Sequence, residues 1–137
     1  MANYRVLSAK NKYHLPKETL LTVMHFCKQY SLWLKQLEQI DADTVGKPLA
    51  NDNVRVMSSN KSDPTADLAI RKEKITWKIE LVESTAKEVG SDLWEWLLKG
   101  VCEGVPYYKL KEEGIPCGKD LYYIMRRRFY FEIAGKI

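Results

Sequence analysis

Long apolar runs are missing from this 137-residue chain. No stretch approaches the ~18 consecutive apolar residues that a membrane span requires. The segment Met1 to Lys17 carries Arg5, Lys10, Lys12 and Lys17 but no apolar core of signal-peptide length. Both absences predict a cytoplasmic protein with no membrane partner. Cysteine is scarce and poorly spaced for chemistry. Cys27, Cys102 and Cys117 are odd in number, far apart and form no C-x-x-C pair, which argues against a disulfide framework or a zinc site and suits a reducing compartment. His14 and His25 are the only histidines, and neither stands in a nucleophile or metal-ligand pattern. Neither G-x-x-x-x-G-K-[ST] nor G-x-G-x-x-G occurs, so the loops that cradle nucleotide phosphates are absent. Glu112 and Glu113 are adjacent, but neighbours on a helix diverge and no partner carboxylate is indicated. The expectation is a protein that is not an enzyme and holds no cofactor and no metal.

What is present is a balanced, helix-forming composition. Hydrophobic residues make up 45% of the chain, enough for one domain whose core removes roughly two-thirds of the unfolded surface from water. The 22 basic and 18 acidic side chains leave a formal charge of +4, an excess that permits an acidic partner without demanding one.

After Pro16, the residues Leu20, Val23, Cys27, Tyr30, Leu34 and Leu37 recur at alternating steps of three and four, the signature of one apolar helix face. Leu21, Met24, Phe26 and Trp33 widen the stripe beyond what a lone surface helix buries. The spacing therefore predicts a first long helix over 17–40. From 41 to 64 the pattern gives way to Gly46, Pro48, Asn51, Asp52, Asn53, Ser58, Ser59, Asn60 and Ser62, which read as a mobile loop. Asp63 is a cap residue before Pro64 at a first helical position. Leu68, Ile75, Ile79, Val82, Ala86 and Val89 then keep the three-four rhythm, which predicts a second long helix over 64–89, stopped by Gly90. The two long helices would pair as a hairpin.

Ser91 or Asp92 restarts a helix dense in Leu93, Trp94, Trp96, Leu97, Leu98 and Val101 and closed by Gly104. Trp33, Trp77, Trp94 and Trp96 are expected in the core where helices cross, and any of them on an open face would mark a partner site. Pro106 opens a shorter helix that Gly114 stops, Ile115 to Gly118 form a turn, and a last helix runs from Lys119 to about Ala134. Two helices joined by a glycine-containing turn, the second rich in cations, outline a helix-turn-helix. Leu110, Leu121 and Ile124 fall where such helices interlock, although the turn is longer than the standard one. On the last helix, periodicity groups Leu121, Ile124, Met125 and Arg128 on one face and Lys119, Tyr122, Tyr123, Arg126, Arg127 and Tyr130 on much of the other. Arginine and lysine pair with phosphates or guanine edges, and tyrosine bonds phosphate or packs on sugars, so the second face suits a DNA groove. The bland alternative is a solvated stripe whose cations favour a helix C-terminus.

The segment Tyr107 to Gly135, Y-Y-K-L-K-E-E-G-I-P-C-G-K-D-L-Y-Y-I-M-R-R-R-F-Y-F-E-I-A-G, resembles the C-terminal end of RinA-type phage transcriptional activators and related phage regulators with a sigma-factor region 4-like helix-turn-helix. The stretch Asn60-Lys61-Ser62-Asp63-Pro64-Thr65 is similar to the start of their central helix, so the likeness covers the chain from about Asn60 onward. The resemblance implies a phage or prophage regulator acting on double-stranded DNA at a promoter, beside RNA polymerase. It implies further that Cys117 to Asp120 begin the recognition helix and that Lys119, Tyr122, Tyr123, Arg126 and Arg127 face DNA. Phe129 and Phe131 would hold the far end in the core. Gly118 departs from the pattern, which has a polar or basic residue there. The resulting expectation is an all-α fold, one helical domain over 1–137, with a long helical hairpin followed by a C-terminal helix-turn-helix-like bundle. The function expected is DNA-binding transcription regulation, with a homodimer as a further expectation. The rival is a non-enzymatic phage assembly or interaction component in which the basic helix is only solvated.

Overall fold

The three-four rhythm of apolar residues does fold into helices. In a computed structural model that describes residues 11–46 and 64–137, the described residues form an all-α protein with no strand. Its helices are α1 Lys17–Lys28, α2 Tyr30–Gly46, α3 Pro64–Gly90, α4 Trp94–Cys102, α5 Tyr107–Glu113 and α6 Lys119–Lys136, with a 3-10 turn Ser91–Leu93 before α4. None is long and apolar enough to cross a membrane.

The first long helix expected over 17–40 is instead two. At Gln29 the backbone N–H bonds the Phe26 carbonyl three residues back at 3.2 Å, a tightening that ends α1. The buried stripe changes phase there. Leu20, Val23, Met24 and Cys27 are buried on α1, but on α2 it is Trp33 and Ile40 that are buried while Leu34 is exposed. α2 also runs on to Gly46, past the expected end at 40. The rest of the expected loop, with the capping residue Asp63, lies outside the described residues.

α3 begins at Pro64 as the sequence predicts, and Ile75, Ile79, Val82, Ala86 and Val89 form its buried edge. Its stop differs in detail. Gly90 keeps right-handed helical angles, and Ser91 takes the left-handed conformation at φ 49°. For a residue with a Cβ that conformation costs about 1–2 kcal/mol.

The described residues divide into two compact units. One is Leu32–Ile79, the antiparallel hairpin of α2 with the first part of α3. Its core is Trp33, Ile40, Ile75 and Ile79. The Lys78 ammonium stands 5.7 Å from the centre of the Trp33 ring, and Lys72 pairs with Asp41 at 2.9 Å. Both members of that pair are more than half exposed, so burial rather than the ion pair supplies most of the stability.

The other unit comprises residues up to Ser31 together with Glu80–Ile137. Here α1 packs against α6 and α4, and α4 packs against α5 and α6. Leu97, Leu98, Val101 and Cys102 put α4 at the hub, as its apolar density suggests. Trp94 and Trp96 depart from the expectation. They lie half-buried at the margin, with Lys87 at 4.7 Å and Lys99 at 5.9 Å from their ring centres. Gly104, at φ 74°, ends α4 in a conformation that glycine adopts without strain.

Candidate nucleic-acid interface

The link between α5 and α6 is a built turn. Gly114 closes α5 at φ 105°, its N–H bonding the Lys111 carbonyl at 3.1 Å while the Ile115 N–H reaches the Leu110 carbonyl at 3.0 Å. These paired bonds satisfy carbonyls that a helix end would otherwise leave open, and Leu110 and Ile115 are both buried beside them. The Tyr107 hydroxyl then donates to the Cys117 carbonyl at 2.8 Å, fixing the chain just before α6. Gly118 enters α6 in extended conformation, with no side-chain cap on the helix N-terminus.

Tyrosines, rather than Leu121 and Ile124, interlock the two helices. Tyr122 is only 1% exposed, and its ring centre lies 5.5 Å from that of Tyr107 and 5.2 Å from that of Tyr123. Met125, Phe129, Tyr130 and Ile133 continue the buried edge of α6. This corrects three expectations. Tyr122 belongs to the core and is not available to DNA. Leu121 and Ile124 face outward, 49% and 48% exposed. Phe129 is buried as expected, but Phe131 lies at the surface, where its ring meets Tyr13 edge-on at 5.6 Å.

The remaining cations expected at the interface fall into two kinds. Lys119 and Arg127 are exposed. Arg126 is half-buried, its guanidinium 5.6 Å from the centre of the Tyr123 ring and 5.7 Å from that of Tyr130. Burial pushes the Tyr130 hydroxyl up to about 12, with the Arg126 charge pulling against it. Burial also lifts Tyr122 to about 12, again opposed by Arg126. Arg126 therefore serves the packing of α6, and Tyr123, half-buried against Tyr107 and Tyr122, sits at the margin.

At 3.6 residues per turn, Asp120, Ile124 and Arg127 recur at steps of four and three along the outward side of α6. Leu121 and Arg128 run along one edge of it. Compared with the face expected from sequence, the outward face is turned by roughly a quarter of the helix circumference. A signal for it was present. Tyr122, Met125, Phe129 and Ile133 form an unbroken large-residue stripe, whereas the stripe from Leu121 through Ile124 ends at Arg128.

Acidic side chains share this surface: Glu112, Glu113 and Asp120 are all exposed. Glu113, at the end of α5, pairs with Lys99, while Asp120 in the first turn of α6 complements the positive end of the helix dipole. Lys109, Lys111, Lys119 and Arg127 are exposed on α5 and α6. Among the described residues no group of three His, Cys, Asp or Glu side chains is placed to hold a metal ion. The three thiols are free, Cys27 and Cys102 buried and Cys117 half-buried in the turn. No family model matches the chain, and no curated protein or solved structure matches it.

Proposed function

We propose that this chain is a DNA-binding transcription regulator of the phage or prophage type indicated by its C-terminal resemblance, docking the first half of α6 in the major groove of double-stranded DNA. The observation that carries the reading is the exposed start of α6, set up by the built turn at Gly114 to Gly118, with Lys119 and Arg127 on its surface. From Lys119 to Arg127 the helix advances about 12 Å, matching the ~12 Å width of the major groove. Phosphate contacts would come from Lys109, Lys111, Lys119 and Arg127, and the uncapped N–H groups after Gly118 suit a phosphate as well. A place beside RNA polymerase and a homodimer belong to the same proposal.

Fluorescence anisotropy with mixed-sequence duplexes at several salt concentrations tests it. The expected result is binding that weakens steeply with salt, with a log-log slope of about −3 to −4 for four phosphate contacts. Absence of binding at micromolar protein, or binding indifferent to salt, overturns it.

A second reading, a non-enzymatic phage assembly or interaction component, is favoured by Ile70 and Trp77. Both are exposed, seven residues apart on one side of α3. On that reading sedimentation shows an assembly that Trp77→Ala dissolves, and DNA binding is absent.

A further inference from the structure

Exposed large apolar side chains on an otherwise charged helix call for an occupant. Leu121 and Ile124 stand three residues apart on the first two turns of α6, each about half exposed. Arg127 and Arg128 follow one turn later. Farther along the helix, Phe131 is less exposed, at 37%, with the Tyr13 ring edge-on against it, so the stripe is most open in the N-terminal half. Asp120 shares this face, but Lys119, Arg127 and Arg128 outnumber it, a balance that suits a polyanion better than an apolar protein surface. In the major groove, the apolar group on a base edge is the thymine 5-methyl.

We propose that Leu121 and Ile124 read thymine 5-methyl groups, so that the preferred duplex carries thymines on neighbouring base pairs under α6; this rests on the DNA-docking reading above. Three residues of helix advance about 4.5 Å. That is near the 3.4 Å between successive bases of one strand, so the two side chains meet adjacent steps. The pair supplies base preference, and the surrounding lysines and arginines supply affinity that does not depend on sequence.

The test uses duplexes enriched from a random pool by the full chain, resynthesised with uracil in place of every thymine, which removes only the methyl groups. Anisotropy is measured with wild type and with the Leu121→Ala plus Ile124→Ala variant. Burying two methyl groups against apolar side chains corresponds to about a tenfold change in affinity. Wild type is therefore expected to bind the uracil duplex about tenfold more weakly, whereas the variant binds both duplexes alike with the wild-type salt slope. Equal wild-type affinity for the two duplexes with a steep salt slope overturns the thymine inference and leaves the DNA reading standing. Discrimination that persists in the variant overturns it too. No salt-dependent binding to either duplex overturns both readings. A self-associated wild type that the variant converts to monomer in sedimentation, without DNA, assigns the stripe to a protein contact and overturns the inference.

Discussion

A Cβ at Gly100 on α4 would lie 1.8 Å from the hydroxyl oxygen of Tyr122 and 3.0 Å from the ring carbon that bears it. The phenol of Tyr122 thus occupies the place where any other residue would carry a side chain. This close approach lets the tyrosine, rather than Leu121 or Ile124, turn into the core, and so sets which side of α6 meets solvent.

Gly100→Ala is expected to destabilise the fold although alanine favours helix by about 1 kcal/mol over glycine. Overpacking a filled core costs about 1–3 kcal/mol, and the Tyr122 ring is buried within that core. Removing the hydroxyl by Tyr122→Phe clears the worst overlap. Urea denaturation should show Gly100→Ala with Tyr122→Phe to be more stable than Gly100→Ala alone. If the two substitutions are simply additive, the proposed steric coupling is wrong.

Arg126 and Arg127 are neighbours in sequence but should part company in experiment. Arg126 lies between two tyrosine rings, where a cation–π pair contributes about 0.5–2 kcal/mol, so Arg126→Ala should lower the melting temperature. Arg127→Ala should leave stability within about 0.5 kcal/mol of wild type, weaken DNA binding and flatten the log-log salt slope by about 0.9. Equal effects of both variants on melting temperature and on DNA binding would contradict this division.

Much of the fold could be read from the residues because helix-forming signals are local. Pro64, Gly104 and Gly114 mark helix boundaries where backbone conformation demands them, and Ile75 to Val89 bury at the spacing they display. The break at Gln29 was hidden because it is a single tightened turn that contains neither glycine nor proline, the residues that mark the other helix ends. The outward face of α6 was harder to read for a different reason. Leu121 and Ile124 are more apolar than Tyr122, so a local pattern favours burying them. What reverses the choice is the space at Gly100, twenty-two positions away in sequence and brought close only by folding. Lys119 and Arg127 were legible as exposed cations, whereas the packing role of Arg126 depends on the rings that the rotated helix brings around it.

Alkaline pH should unfold the protein earlier than its surface charges suggest. Burial holds the Cys27 thiol at about 12, above its ordinary 9.0, and lifts Cys102 in the same direction. Burial likewise raises Tyr122 and Tyr130 to about 12 from 10.0. The unfolded chain then releases protons that the folded chain retains, so stability falls as pH rises, first from about pH 9 through the thiols and more steeply above 10. Each group contributes a slope of about 1.4 kcal/mol per pH unit between its unfolded and folded values. Urea midpoints measured from pH 7 to 11 should stay level to about 9 and then drop, and Cys27→Ala should make the decline between 9 and 10 shallower. A flat profile to pH 11 would count against burial of these groups.

Gly118 separates a stability effect from a binding effect at one position. Its backbone is extended, at φ −80° and ψ 168°, and a Cβ built there meets nothing within 4 Å, so any side chain fits. Gly118→Lys places a cation at the positive end of the α6 dipole, which should cost about 0.3–1 kcal/mol of stability. If the start of α6 meets DNA, the same lysine neutralises one more phosphate, raising affinity at low salt and steepening the log-log salt slope by about 0.9. Lower stability with tighter, more salt-sensitive binding is therefore the expected pair of changes. A slightly less stable variant with unchanged DNA affinity would show that the start of α6 lies away from the duplex.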